Sequence, residues 1–419
     1  MNILYLCADL GVPVLGRTGA SVHVRSMVAA LRSAGHVVVL AAPLLSKSPW
    51  ELPAELGAPV WHLPTPADVL LPTLAVKAFN ETIGVNNGVP GELRRILYNV
   101  DLLKPLKHRL ESSPPDIIYE RASLYGIAGA SLARALNRPL IVEVNAPLAL
   151  EQACYRNSAF EEWATQAERW TLTHADAVVV VSSVLHDYVI SQGVAAERVH
   201  VLPNGVDAER FHPGTPDPTV RAQWNLNAGP VLGFVGGLRP WHGVDALPAL
   251  VERLVRPYPD VRLVIVGSGP LRGLLEERFR ERGLTSHVVF TGTVPHEQVG
   301  ALVRQFDVAL APYPAHGHIF YFSPLKIFEY MASGVAVVAS DLGQIAEVVR
   351  HGETGLLYRA GDLDALTAAC ERLIGDARLR RRLGRAAAEE VRARFTWDRN
   401  AARVTALAAA LVAAKAGVA

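Results

Sequence analysis

Two doubly wound α/β domains, each built on a parallel sheet, are what this sequence predicts, and three observations carry the prediction. Short apolar, β-branched runs recur without polar alternation, as strands covered on both faces require. Helical patterns separate them, and strand–helix–strand units of that kind close as right-handed parallel crossovers. The series occurs twice in 419 residues, a length that suits two Rossmann-like domains at roughly 100–200 residues each.

The first series of strands is read at Ile3 to Cys7, Val37 to Ala41, Asp116 to Tyr119, Leu140 to Val144, Ala177 to Val181 and His200 to Leu202. The second is read at Val231 to Val235, Val261 to Val266, Val288 to Phe290, Val308 to Ala311 and Val335 to Ala339. Val24, Met27, Val28 and Leu31 are spaced i, i+3, i+4, i+7, a helix that Gly35 stops. The seam is expected near Leu202 to Asp207 or in Pro213 to Pro218, which gives domains 1–205 and 206–396. Ser46 to Pro115 breaks the rhythm with many prolines and a basic amphipathic stretch, Arg94, Arg95, Lys104, Lys107 and Arg109 among Ile96, Leu97, Leu102, Leu103 and Leu106. A solvated helix covering an insertion is favoured there over membrane docking. The Arg378 to Arg394 run reads as an exposed helix face.

Composition narrows the function. Lys and Arg total 41 against 40 Asp and Glu, so no overall field draws the chain to nucleic acid or an anionic surface. Half the residues are hydrophobic, enough for two cores and too many for disorder. No apolar run reaches the roughly 18–20 residues of a membrane span. Three scattered cysteines give neither a metal-ligand spacing nor a disulfide framework, which suits a reducing compartment. With no basic leader, the expectation is a soluble cytoplasmic protein.

Ligands of open α/β sheets bind outside the carboxyl ends of the strands, and that rule picks the candidates. In the first domain they are Asp9 with the Gly16 to Ser21 loop, Glu120 and Arg121, Glu143 and Asn145, and Ser182 and Ser183. Glu143 and Asn145, two apart, project to one side while the chain stays extended. In the second they are Gly236 to His242, Gly267 to Pro270, Thr291 to Pro295 and the loop His316 to Leu325.

Ser323-Pro324 before Leu325 to Met331 reads as a Ser N-cap and a Pro in the first helical position, with Gly334 as the stop. Such a helix start suits a phosphate, to which Lys326 adds a full charge. Glu329 shares its face at i+3 and is placed for ribose hydroxyls, although a plain Lys–Glu surface pair fits the same spacing. Gly267-Ser-Gly269 has its third glycine, Gly273, one residue late for a dinucleotide fingerprint and is read as a tight turn. Asp362 in Gly361-Asp-Leu-Asp364 is read as a helix cap rather than a metal ligand, and no metal site is expected.

Taken in order, these motifs resemble the family 4 glycosyltransferases of GT-B fold. The resemblance rests on Gly19-Ala-Ser-Val-His23, Gly35-His-Val37, Asp176 to Ser182, Val201 to Asp207, Phe234-Val-Gly-Gly-Leu238, Val266 to Pro270 and Phe290 to Pro295. Phe328 to Gly334, Gly352 to Leu356 and Phe395-Thr-Trp397 extend it over essentially the whole chain. It implies two domains facing an interdomain cleft, with a final helix over 397–419 crossing back to the first domain. It also implies retaining transfer of a sugar from a nucleotide sugar, a uridine donor being favoured over a guanosine one. No cofactor beyond that donor is implied; the acceptor is a small molecule, a lipid-linked sugar or a glycan, and peripheral association with the inner membrane face is compatible with it.

Four positions depart from the common family pattern. The first of two glutamates eight apart falls on Tyr321, the second on Glu329; Gly237 stands where Arg is usual, His242 where Lys is usual, and Asn145 near a usual His. Arg239 and Lys326 are assigned to the diphosphate in their place, so this is read as a variant branch. The resemblance assigns Asn145, Arg239 and Lys326 to catalysis, with Asn145 holding donor sugar or acceptor. Glu329 goes to the ribose, the backbone at Thr293 and Val294 to the base, and the Gly19-Ala20 turn to the phosphates. Gly237, His242, Tyr321, Ser323, Pro324 and Leu325 complete the donor side; Asp9, Glu120, Arg121 and Glu143 are acceptor-side candidates. Structural roles fit Asn145, Tyr321 and His242 equally well. A nucleotide-sugar epimerase or hydrolase, or an inactive partner of the same fold, fits the same sequence.

Overall fold

A computed structural model describes residues 1–47, 56–226, 229–315 and 320–417. The chain divides into two units, one of Met1–Pro203 with Trp397–Ala419 and one of Asn204–Thr396.

In the first unit the strands are β1 (Asn2–Cys7), β2 (Val37–Ala42), β3 (Val60–His62), β4 (Ile117–Arg121), β5 (Leu140–Val144), β6 (Ala177–Val180) and β7 (Val199–Val201). They lie in the order β3-β2-β1-β4-β5-β6-β7, and every pair is parallel. The order reverses between β1 and β4, the kind of position at which open α/β sheets bind ligands. The helix Gly19–Ser33 buries Val24, Met27, Val28 and Leu31 and ends ahead of Gly35 at φ 86°. Its N-cap is Thr18, so Gly19 and Ala20 are its first two residues rather than a turn. The helix Trp397–Gly417 also packs in this unit: Asn400 Nδ2 donates to the Pro203 carbonyl at 2.7 Å and Lys415 Nζ to that of Arg138 at 2.9 Å.

Three helices fill the stretch where the rhythm breaks: Ala67–Thr82, Val89–Asp101 and Leu103–Leu110. The last two bury Tyr98, Leu106 and Leu110. The first leaves Leu71 and Phe79 more than 60% exposed (63% and 62%). Residues 48–55 of that stretch lie outside the described residues.

The second unit carries β8 (Val231–Val235), β9 (Arg262–Val266), β10 (Val288–Gly292), β11 (Val308–Ala311), β12 (Ala336–Ser340) and β13 (Leu356–Tyr358). Their order is β10-β9-β8-β11-β12-β13, again all parallel, with the reversal between β8 and β11. Successive residues of these strands enter different cores. Val264, Ala309 and Val337 join one apolar cluster, while Leu263, Ile265, Leu310 and Val338 join the other. Both faces are therefore apolar, which is why the strands read as unbroken runs. The edge strands β3 and β13, three residues each, were not read from the sequence.

Candidate active site

At the carboxyl ends of β8 and β11, the reversal point of the second sheet, backbone turns gather around one cation. β8 leads into Gly236 at φ 142°, whose N–H donates to Val266 O at 2.9 Å. A Cβ there would lie 2.8 Å from Lys326 Nζ, so the ammonium takes space that a side chain at 236 would occupy. Lys326 sits in the first turn of the helix Leu325–Ala332, whose Tyr330 hydroxyl accepts from Val235 N at 2.7 Å and fixes the helix to the end of β8. Its Nζ lies 4.2 Å from the centre of the Phe234 ring and 5.2 Å from that of Tyr313. It is buried with no hydrogen-bond partner. Burial pulls its pKa down to about 7, with Glu329 opposing. A buried ammonium set against ring faces, with no hydrogen-bond partner, suits an anion.

The helix begins one residue later than the sequence reading placed it. Pro324 is the N-cap, with no side-chain hydrogen bond, and Leu325 is the first helical residue. Ser323 is not the cap: its Oγ accepts from Asn204 N at 3.1 Å, and its carbonyl accepts from Asn204 Nδ2 at 2.6 Å. Asn204 thus anchors the approach to the helix. Lys326 and Glu329 are not a surface pair, since both are buried. Glu329 Oε1 instead meets His296 Nε2 at 2.8 Å.

Arg239 is exposed and lies over Trp241, its Cζ 5.5 Å from the ring centre. His242 Nδ1 donates to the Gly237 carbonyl at 2.5 Å. Burial first, then Lys326 and Arg239, pull its pKa down to about 3 against that bond, so the neutral ring keeps Nε2 as an acceptor. Gly243, at φ 67°, closes this turn; a Cβ would lie 1.7 Å from the carbonyl oxygen of Pro312. Gly267 and Gly269 make the tight turn expected of them, their Cβ positions falling against the backbone of Gly236 and Leu238. Thr293 is exposed and Val294 half-buried between β10 and the helix His296–Val303. Tyr321 is buried, its ring 4.4 Å from that of Phe322. His316 to Ile319 lie outside the described residues.

In the first unit, Glu143 at the end of β5 collects the donors. It accepts from Tyr119 Oη at 2.5 Å and Arg121 Nη1 at 3.0 Å, meets His23 Nε2 at 2.7 Å and also accepts from Asn145 Nδ2. Burial would raise its pKa, but His23, Arg121 and Tyr119 outweigh it and hold the carboxyl at about 2. Asn145 gives one amide N–H to Glu143, so its second N–H and its carbonyl oxygen are left for a hydroxyl. Glu120 stands apart, on the other face of β4. It is buried against Gly129 at the start of the helix Ala128–Leu136, and burial, offset by the Gly129 N–H, raises it to about 7. Asp9 accepts from Gly11 N at 2.7 Å. Asp362 caps the helix that follows it, accepting from Ala365 N at 2.8 Å. Among the described residues, no three of His, Cys, Asp and Glu gather to hold a metal ion.

Sequence reasoning did not select Tyr313, His296 or Tyr119. His296 stands one residue beyond the strand-end segment that was selected, and Tyr313 two residues past β11, so widening each window would have found both. His23 entered only as part of a motif.

Comparison with known proteins bears on the fold and the family. Residues 18–205 match the family described as Glycosyl transferase 4-like domain, and residues 229–376 match Glycosyl transferases group 1. Over 290 residues the chain is 30% identical to a GDP-mannose-dependent alpha-mannosyltransferase of Mycolicibacterium smegmatis, covering 69% of this chain and 72% of that protein. Over 239 residues it is 33% identical to the GDP-mannose-dependent alpha-(1-6)-phosphatidylinositol monomannoside mannosyltransferase of the same species. That match takes in 56% of this chain and spans 62% of the relative's length. The structure of sucrose-phosphate synthase from Thermosynechococcus elongatus matches with a TM-score of 0.75 at 22% identity, over 99% of this chain and 100% of that one. The fold is GT-B, and the protein is a glycosyltransferase. Within that class, the chain belongs to the family 4 glycosyltransferases.

Proposed function

We propose that the protein transfers a sugar, with retention, from a nucleoside-diphosphate sugar to an acceptor hydroxyl, and that its own cations carry the charge of the leaving diphosphate without a metal ion. The observation behind this reading is Lys326 Nζ, buried and unpartnered at the reversal point of the second sheet. In the reaction the acceptor oxygen bonds to the anomeric carbon on the face from which the diphosphate departs. The carbon–oxygen bond to the diphosphate breaks, and a departing phosphate oxygen takes the acceptor proton. Lys326, the N–H groups at the start of its helix and the exposed Arg239 suit the growing negative charge. Glu329 takes the ribose, and the amide of Asn145 takes a sugar or acceptor hydroxyl.

The acceptor we favour is lipid-linked. Leu71, Leu74 and Phe79 are exposed on the helix Ala67–Thr82, an apolar display that suits a lipid surface, and one relative is named for a phosphatidylinositol monomannoside. Among the described residues no helix is long and apolar enough to cross a membrane, so such contact is peripheral in this reading.

A panel of uridine and guanosine diphosphate sugars, incubated with EDTA and lipid-linked or soluble acceptors, tests the proposal. It also separates the uridine donor favoured by the sequence from the GDP-mannose in two relatives' names. A product whose anomeric configuration equals that of the donor supports the reading. An inverted product, or turnover that needs added divalent metal, contradicts it.

A further inference from the structure

Glu329 does not stand alone. His296 opens the helix His296–Val303, which runs directly against the turn Asp207 to Phe211, because a Cβ on Gly300 would lie 2.6 Å from the Arg210 carbonyl oxygen. Asp207 Oδ1 accepts from Arg210 N at 3.1 Å, and its Oδ2 lies 3.7 Å from the guanidinium Nε, which steadies the arginine. Arg210 Nη1 reaches His296 Nδ1 at 2.9 Å. Arginine can only donate, so Nδ1 is the acceptor and the ring proton must sit on Nε2. That proton points at Glu329 Oε1, 2.8 Å away. The Phe211 ring backs the imidazole, with centres 5.4 Å apart.

We propose that His296, with its tautomer set by Arg210, is a positioning residue that fixes the Glu329 carboxylate so that Oε2 and the remaining lone pair of Oε1 meet the two ribose hydroxyls of the donor. The proposal rests on the ribose role of Glu329 given above. A vicinal diol needs two acceptors at a fixed spacing. A carboxylate free to rotate offers that spacing only part of the time, whereas one tied through Oε1 offers it continuously. The ribose is where the effect is expected, because Glu329 is its contact, while the base and the diphosphate are assigned to other groups.

Calorimetric titration of the full chain with uridine and guanosine diphosphate and their 2′,3′-dideoxy forms separates this from a structural role. The wild type is expected to favour the ribo form of its preferred nucleotide by about tenfold or more, as sites built around substrate hydroxyls do. His296→Leu is expected to shrink that preference to about threefold or less while the dideoxy affinity stays within about twofold. His296→Gln, which can still donate to Glu329, is expected to restore most of the preference. Arg210→Met, which frees the tautomer, is expected to give a partial loss and supplies the answer if His296→Leu does not fold. Equal losses for ribo and dideoxy forms, or an undiminished preference in His296→Leu and Arg210→Met, overturn the proposal. A wild type without preference overturns the ribose reading of Glu329 itself, and the proposal falls with it.

Discussion

Lys326 Nζ rests 4.2 Å above the centre of the Phe234 ring with no hydrogen-bond partner of its own. The last residues of β8 thus hold a cation that burial has brought to the edge of neutrality, with a pKa of about 7. A diphosphate beside it favours the charged form and raises that value.

Binding is therefore expected to take up a proton. Above pH 7 the unliganded lysine is increasingly neutral, while the complex holds it charged. Titration of the nucleotide in buffers of different ionisation enthalpy at pH 8 should show uptake approaching one proton per site, about 1 at most. Affinity should weaken as pH rises from 7 to 9. Proton release, or affinity that is flat over that range once the phosphate's own titration is subtracted, would show that Lys326 does not meet the diphosphate.

Glu143→Gln tests the cluster in the first unit. The carboxylate is a buried counter-charge for Arg121, and removing one member of such a pair costs about 3–5 kcal/mol. The variant should unfold at lower denaturant concentration. The acid limb should also differ. The carboxyl goes from an ordinary value of 4.5 to about 2 in the fold, so its contribution is complete above pH 4.5 and is lost as pH falls toward 2. Wild-type stability should drop more steeply than that of the variant over that window. Parallel acid profiles would remove the ion pair from the account.

Gly243→Ala and Gly352→Ala form a matched pair. Both glycines have positive φ, 67° and 77°, but a Cβ at 243 meets the Pro312 carbonyl oxygen and one at 352 meets nothing within 4 Å. Backbone strain costs each about 1–2 kcal/mol. Gly243→Ala should lose further stability, about 1–3 kcal/mol, and weaken the nucleotide-induced rise in Tm. Equal losses would mean that the turn does not press on the end of β11.

Much of this was legible in the sequence for a physical reason. Strands such as Val231–Val235 and Val308–Ala311 are buried on both faces, so their apolar runs are continuous and their ends can be located. Those ends, taken with the rule for open sheets, led to Lys326, Glu329, Glu143 and Asn145. Side-chain partnerships were not legible. The i+3 spacing of Lys326 and Glu329 suggested a mutual pair, whereas Glu329 turns to His296, 33 residues earlier in the chain. Ser323 has the chemistry of a cap, yet its hydroxyl serves Asn204, a long-range bond that no local pattern encodes. Glu120 and Arg121 are neighbours in sequence but project to opposite faces of β4, so only Arg121 reaches Glu143.

Lys326→Met is the most direct test of the diphosphate site, because it keeps the length of the side chain and removes its charge. Calorimetric titration with uridine and guanosine diphosphate in EDTA should give tight binding of one of them to the wild type and a loss of about tenfold or more in the variant. The variant's Tm should be equal or higher, because a buried unpartnered cation is replaced by an apolar group. Equal affinity in the two proteins would contradict the assignment of this lysine to the diphosphate, and binding that appears only on adding a divalent metal would contradict the metal-free reading.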